Sequence, residues 1–128
     1  MARKARASRK RCACLPEVLP AGMKELLGRT GGVEGLKASL PRTEEIARAA
    51  AVHDAMADPL RLGIMHMLST APLCVCVIKA ATDVEDSKLS YHHNVLRRVG
   101  LIGRRKDGSF LMYELTGTGR QWLLACAL

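Results

Sequence analysis

Aromatic side chains are scarce in this chain: Trp122, Tyr91, Tyr113 and Phe110 make up 3% of its 128 residues. A core must therefore be built from Leu, Ile, Val, Met and Ala, and a hydrophobic content of 48% is enough to build it in one domain of this length. No apolar run approaches the roughly 18–20 residues that a membrane span needs. The basic N-terminus lacks a hydrophobic segment behind it, because Cys12-Ala13-Cys14-Leu15 is cut short by Pro16. That argues against a secretory leader and for a cytoplasmic protein. In such a reducing setting the five cysteines are expected to be thiols or metal ligands rather than disulfides. There is no phosphate-binding loop, no nucleophile with base and orienting group, and no carboxylate pair in an evident cleft, so an enzyme is not expected. Acidic residues are outnumbered, 12 against 20 Lys and Arg, which gives a formal charge of +8 and a pI near 9.7. A polyanionic partner follows, the more so because the charge is clustered. Arg3, Lys4, Arg6, Arg9, Lys10 and Arg11 form one locus, and Arg97, Arg98, Arg104, Arg105 and Lys106 a second.

Residues 1–42 differ from the rest. A basic, Ala-rich tail leads into Cys12-Ala13-Cys14, then Pro16, Pro20 and a stretch with Gly28, Gly31, Gly32 and Gly35 that ends at Pro41. Short helical turns fit around Met23 to Leu27 and Val33 to Leu40, and glycine and proline argue against anything longer. This segment reads as an arm. From Thr43 the pattern is regular, and residues 43–128 read as one domain. Thr43 can cap a first helix with the small-residue stripe Ile46, Ala49, Ala50, His53 and Ala57, a face suited to close helix packing, including across a dimer. Asp58-Pro59 is a cap followed by proline at the first helical position, and Leu60, Ile64, Met67 and Leu68 hold one face to about Ser69. After Pro72 a short third helix is expected from about Leu73 to Ala81. Ser87 can cap a fourth, with Leu89, His93 and Leu96 inward and Gly100 as its stop. Asp107-Gly108 signals a two-residue hairpin between Ile102–Lys106 and Ser109–Leu115. A last helix from about Thr118 puts Trp122, Leu123 and Cys126 on one stripe. No internal repeat is found. Four helices, a basic hairpin and a final helix predict a mainly α fold with a β-hairpin wing, a winged helix-turn-helix.

The segments Ala57-Asp58-Pro59-Leu60-Arg61, Leu73-Cys74-Val75-Cys76, Ser87-Lys88-Leu89-Ser90-Tyr91-His92 and Gly100-Leu101-Ile102 resemble the ArsR/SmtB family of metal-responsive repressors over about residues 45–125. A helix fits the major groove with its N-terminal residues at base edges and phosphates. On that geometry Ser87, Lys88, Ser90 and Tyr91, with Asn94 nearby, are the expected DNA contacts. Arg104, Arg105 and Lys106 on the wing should meet phosphate or the minor groove. One such unit reads too few bases for a specific site, so a homodimer on an inverted repeat of double-stranded operator DNA is expected. The first and last helices are its expected surface, as the resemblance also implies. His93 departs from the family pattern, in which Leu stands on this inward stripe, and reads as a satisfied core histidine.

Cys74 and Cys76 are the candidate sensing thiols. On a regular helix residues two apart point about 200° apart, since each step turns roughly 100°. They cannot grip one ion unless it sits at the helix start, where the first turn can adjust and the helix dipole favours thiolates. Ligation that distorts this turn would disturb the DNA-reading helix behind it and release DNA. Two thiolates are too few for tight capture: arsenite takes three, and Cd(II), Pb(II) or Zn(II) three or four soft ligands. In one arsenite-sensing branch of the family the third thiol lies where this chain has Lys79. The resemblance to the cadmium- and lead-sensing branch, in which an N-terminal arm completes the site, implies Cys12 and Cys14 as further donors. As(III) or Sb(III) remains a candidate inducer alongside those metals. The family's other metal site, on the last helix, needs Asp, His or Glu, and residues 119–128 contain none. Cys126 reads as core, and His53 and His66 as structural. A redox sensor of the same fold, using Cys12 and Cys14 or disulfides from arm to helix, is the alternative. A metal-binding protein with no DNA role is a third.

Overall fold

The computed structural model describes residues 18–126 and Leu128, in two compact units that divide between Arg42 and Thr43. In the first, α1 (Ala21–Arg29) runs beyond the short turn expected at Met23 to Leu27 at both ends, and α2 (Gly32–Ser39) occupies the second expected stretch. Gly31 and Gly32, with φ of +82° and +75°, make the left-handed turn between them. A Cβ on Gly35 would run into the Thr30 carbonyl. Neither helix buries a residue. No helix among the described residues is long and apolar enough to cross a membrane.

The second unit is a winged helix-turn-helix. Its first helix, α3 (Thr43–Met56), packs through Val52, Ala55 and Met56. The small-residue stripe read for this helix is its outer face: Ile46, Ala50, His53 and Ala57 are exposed and Ala49 is half-buried. Alanine on both sides of this helix left the choice to the bulkier Val52 and Met56. In α4 (Pro59–Thr70) the start is as read: the Asp58 carboxylate accepts from the Leu60 and Arg61 amides at 2.9 and 3.1 Å. Ile64, Met65 and Leu68 are buried, with Leu60 and Met67 half-buried beside them.

The third helix is shorter than expected. Leu73–Cys74 is a strand, β1, and α5 (Val75–Thr82) begins only after it. Residues so close to Pro72 are extended because they find a partner far along the chain. β1 pairs antiparallel with β3 (Phe110–Leu115), Leu73 opposite Tyr113 and Cys74 opposite Met112. Asp83 in the left-handed region closes α5, its amide donating to the Lys79 carbonyl at 2.8 Å. The next helix, α6 (Asp86–Arg98), starts one residue before the expected cap. Glu85 is the N-cap residue, and Ser87 lies inside the first turn. Gly100, φ +78°, terminates it as read.

β2 (Ile102–Asp107) and β3 form the wing, and the sheet order is β1-β3-β2. The turn is one residue later than expected: Asp107 opposes Phe110, so Gly108-Ser109 are the loop residues. Gly108 alone has positive φ, +62°, the glycine-first pattern of a type II′ turn rather than the type I′ that Asp-Gly would make. In α7 (Gly117–Ala125) the Thr116 hydroxyl accepts from the Gly119 amide at 2.9 Å and donates to the Gly100 carbonyl at 2.6 Å, tying the helix to the end of α6. Leu123 is buried and Trp122 half-buried, but Cys126 is exposed, not core. It lies beyond the last full turn, where the helix no longer faces the other elements. The core is aliphatic as composition requires; among the described residues its buried rings are Tyr113 and the imidazoles of His92 and His93.

Candidate DNA interface and sensing helix

α5 and α6 form the helix-turn-helix, and an ion pair between Lys79 and Asp86, 2.8 Å, joins the end of one to the start of the other. Lys79, the position of a thiol in one branch of the resembled family, is thus occupied by a different contact. α6 buries Leu89, His92, His93 and Leu96. Spacing at 3.6 residues per turn then leaves Ser87, Lys88, Ser90 and Tyr91 exposed, with Asn94 half-buried beside them. Arg97 donates to the Asn94 side-chain oxygen at 3.2 Å, and these two with Arg98 line a polar depression. All five candidate groups therefore lie on the outer side of one helix.

On the wing, Arg104, Arg105 and Lys106 are all exposed. They are not equivalent. Arg105 lies 3.9 Å from the Asp107 carboxylate and 3.8 Å from that of Glu114, so part of its charge is already answered. No ion pair involves Arg104 or Lys106 among the described residues.

Two residues that sequence reasoning left without a role hold α6, the helix expected to read DNA. The Arg61 Nε donates to the Ala55 carbonyl at 2.6 Å, and its Nη1 lies 2.9 Å from His92 Nδ1. Arg61 thereby ties the end of α3 to the middle of α6 from the first turn of α4. Its charge and the backbone N–H groups of the helix start act on Asp58. The Arg61 amide above all, with the Arg61 charge, His92 and the Leu60 amide, holds this carboxyl below its usual range in spite of desolvation. Burial pushes the His92 pKa down, helped by Arg61 and Lys88 and opposed by Asp58. His93 is buried as expected, but it is not satisfied: Nε2 has no hydrogen-bond partner among the described residues. Its ring stacks on Tyr113 with centroids 4.1 Å apart, and burial, with His92 beside it, pushes its pKa down to about 4. The clue in the sequence was a pair of histidines falling on the inward stripe of a helix. His53 and His66 are exposed; His53 sets its ring edge to Trp122 at 4.7 Å and bonds the Ala49 carbonyl.

At the sensing end, Cys74 is both the last residue of β1 and the N-cap of α5, with extended φ and ψ of −74° and 155°. Cys76 is in the first helical turn. The bend at Cys74 brings the two Cα atoms to 5.4 Å, and the sulfurs are joined as a disulfide. This corrects two expectations, that these cysteines are thiols and that their side chains diverge. The 200° divergence holds only within a helix, and Cys74 is outside it. No turn has to unwind for the sulfurs to meet. As a reduced pair they offer two soft donors suited to thiophilic ions. Among the described residues no group of three His, Cys, Asp or Glu could complete a metal site. Cys12 and Cys14 lie outside the described residues.

Residues 58–103 match the model of the bacterial regulatory protein, arsR family. A protein of Halobacterium salinarum that carries the name of an arsenical resistance operon repressor is 34% identical over 105 residues, 73% of this chain and 81% of its own length. The arsenical resistance operon repressor of Escherichia coli is 42% identical over 62 residues, 48% of this chain and 53% of its own. Among solved structures, the homodimeric winged helix-turn-helix DNA-binding domain Mb0332 of Mycobacterium bovis superposes with a TM-score of 0.62 at 26% identity, covering 70% of this chain and 82% of that one.

Proposed function

This chain belongs to the arsR family of bacterial regulatory proteins, which are transcriptional regulators and not enzymes, and from that premise we propose that it is a homodimeric cytoplasmic repressor released from operator DNA by a thiophilic metal or metalloid. Ser87, Lys88, Ser90, Tyr91 and Asn94 of α6 read an inverted repeat, and Arg104, Arg105 and Lys106 of the wing hold its backbone. The inducer, Cd(II), Pb(II), Zn(II), As(III) or Sb(III), binds the reduced thiols of Cys74 and Cys76. Cys12 and Cys14 are the proposed source of the remaining ligands, because two thiolates fall short of the three or four such ions take. The observation that carries the reading is the meeting of Cys74 and Cys76 sulfurs at the start of the helix that precedes the exposed face of α6. The outer stripe of α3 supports dimerisation. It adjoins a largely apolar depression, lined by Ala49, Val52, Val99 and Trp122 with Glu45, Arg48 and Thr118 beside them, that a second copy would cover.

The test is fluorescence anisotropy of operator DNA with reduced protein, titrated with each ion while the thiolate absorption band is followed. Cys74→Ser and Cys76→Ser should keep DNA binding and lose release. Normal release by every ion in both variants would refute the sensing role.

The joined sulfurs favour a second reading, a redox sensor, but on Cys74 and Cys76 rather than on the arm. A hydroperoxide would take two electrons and two protons from the thiols, leaving the disulfide, an alcohol and water. Release by peroxide without metal, reversed by dithiothreitol, would establish it.

A further inference from the structure

The wing is more than a DNA contact. In a sheet, side chains of directly opposed residues share a face. The order β1-β3-β2 therefore sets up two rows: Cys74, Met112 and Arg105 on one face, Leu73, Tyr113 and Arg104 on the other. The first row runs from a sensing cysteine to a wing arginine. The second runs from its neighbour to another wing arginine, and at its centre Tyr113 stacks on His93 of the DNA-reading helix, 4.1 Å between ring centroids. The His93 ring is 1% exposed, and its Nε2 has no hydrogen-bond partner among the described residues, so its position depends heavily on packing against Tyr113. β1 has only two residues and two ladder pairs, which makes its pairing with β3 the weakest joint in the sheet.

We propose that Tyr113, through its stack on His93, is the positioning residue by which occupancy of the Cys74–Cys76 pair is transmitted to the DNA-reading helix. The route crosses from β1 to the wing strand and then to α6, instead of running along α5. A change in the backbone of Cys74 shifts or breaks the two-rung ladder, β3 moves with it, and the Tyr113 ring carries the displacement to His93. The same strand movement reaches Arg104 and Arg105, so helix and wing are disturbed together. Such a joint, made or broken, is the two-state element that coupling between separate sites requires.

This inference rests on the sensing role proposed for the thiols, and the experiment separates the two. Reduced full-length wild type, Tyr113→Leu, Tyr113→Phe and His93→Leu are compared for Cd(II) affinity from the thiolate absorption band and for operator affinity with and without Cd(II). In the wild type Cd(II) should weaken DNA binding at least about tenfold, within the usual range of such couplings. Tyr113→Leu and His93→Leu should bind Cd(II) within about twofold of wild type yet lose most of that tenfold ratio, while Tyr113→Phe, which keeps the ring, retains it. If Tyr113→Leu does not fold, His93→Leu, which restores an apolar side chain to an apolar site, decides the matter. Folded variants that bind Cd(II) and release DNA as wild type does would overturn the inference alone. A wild type that binds Cd(II) and keeps its DNA would overturn the sensing role, and this inference with it.

Discussion

Arg61 holds His92 through a contact of 2.9 Å between Nη1 and Nδ1, and only one protonation state of the imidazole permits it. A guanidinium has donors and no acceptor, so Nδ1 must carry the lone pair and Nε2 the proton. Arg61→Ala should remove the tie between α4 and the DNA-reading helix and leave buried groups unpaired, at about 1–3 kcal/mol. Thermal unfolding should show that loss, and operator affinity should fall although Arg61 is not among the expected DNA contacts. Nitrogen chemical shifts of His92 should report the Nε2–H tautomer in the wild type.

Both α6 histidines make stability depend on pH in the same sense. Their folded pKa values lie below the ordinary 6.5, at about 4 for His93, so the unfolded chain binds protons that the folded one refuses. Stability is complete above pH 6.5 and declines as the pH falls towards 4, by on the order of 3 kcal/mol for His93 alone. Asp58 acts in the same sense in a lower window: its depressed pKa contributes stability above 3.8 that is lost as the pH falls through the folded value. Denaturant midpoints between pH 7 and 4 should fall in the wild type and fall less in His93→Leu. An unchanged slope in that variant would remove His93 from the account.

Gly119 offers a sharp test of packing. In an open helix Gly→Ala stabilises by roughly 1 kcal/mol. Here the added methyl would collide with the Leu101 carbonyl and press on Leu115. Gly119→Ala should therefore destabilise, by about 1–3 kcal/mol. A raised melting temperature would contradict the close approach of α7 to the segment after α6.

The wing arginines should separate in salt titrations. Arg104→Ala and Lys106→Ala should each weaken operator binding at every sequence and reduce the salt slope by about one. Arg105→Ala should have the smaller effect, since Asp107 and Glu114 already share its charge. Equal slopes for all three would show that those carboxylates do not compete with phosphate.

Much of the fold was legible because it is written in local chemistry. Asp58-Pro59 starts α4, Gly100 ends α6, and the basic β2 and apolar β3 about Gly108 make the wing, each by contacts close in sequence. The exposed face of α6 follows from its period once Leu89 and Leu96 are taken inward. The face of α3 was not legible, because alanines on both sides give periodicity nothing to choose between. Nor was the exposure of Cys126, which depends on where the neighbours of α7 end.

From its residues alone the chain determined its run of helices and its hairpin, an aliphatic core, a basic wing and paired cysteines ahead of α6. Each depends on side-chain type and short-range spacing, which a sequence displays directly. Tertiary structure decided that Leu73 and Cys74 are a strand, that the two sulfurs converge, and that Arg61 and Tyr113 hold the histidines of α6. Those contacts join residues remote in sequence, 31 positions apart for Arg61 and His92. Only closing the chain into one packed core brings them together, and no local propensity reports the partner a residue will meet.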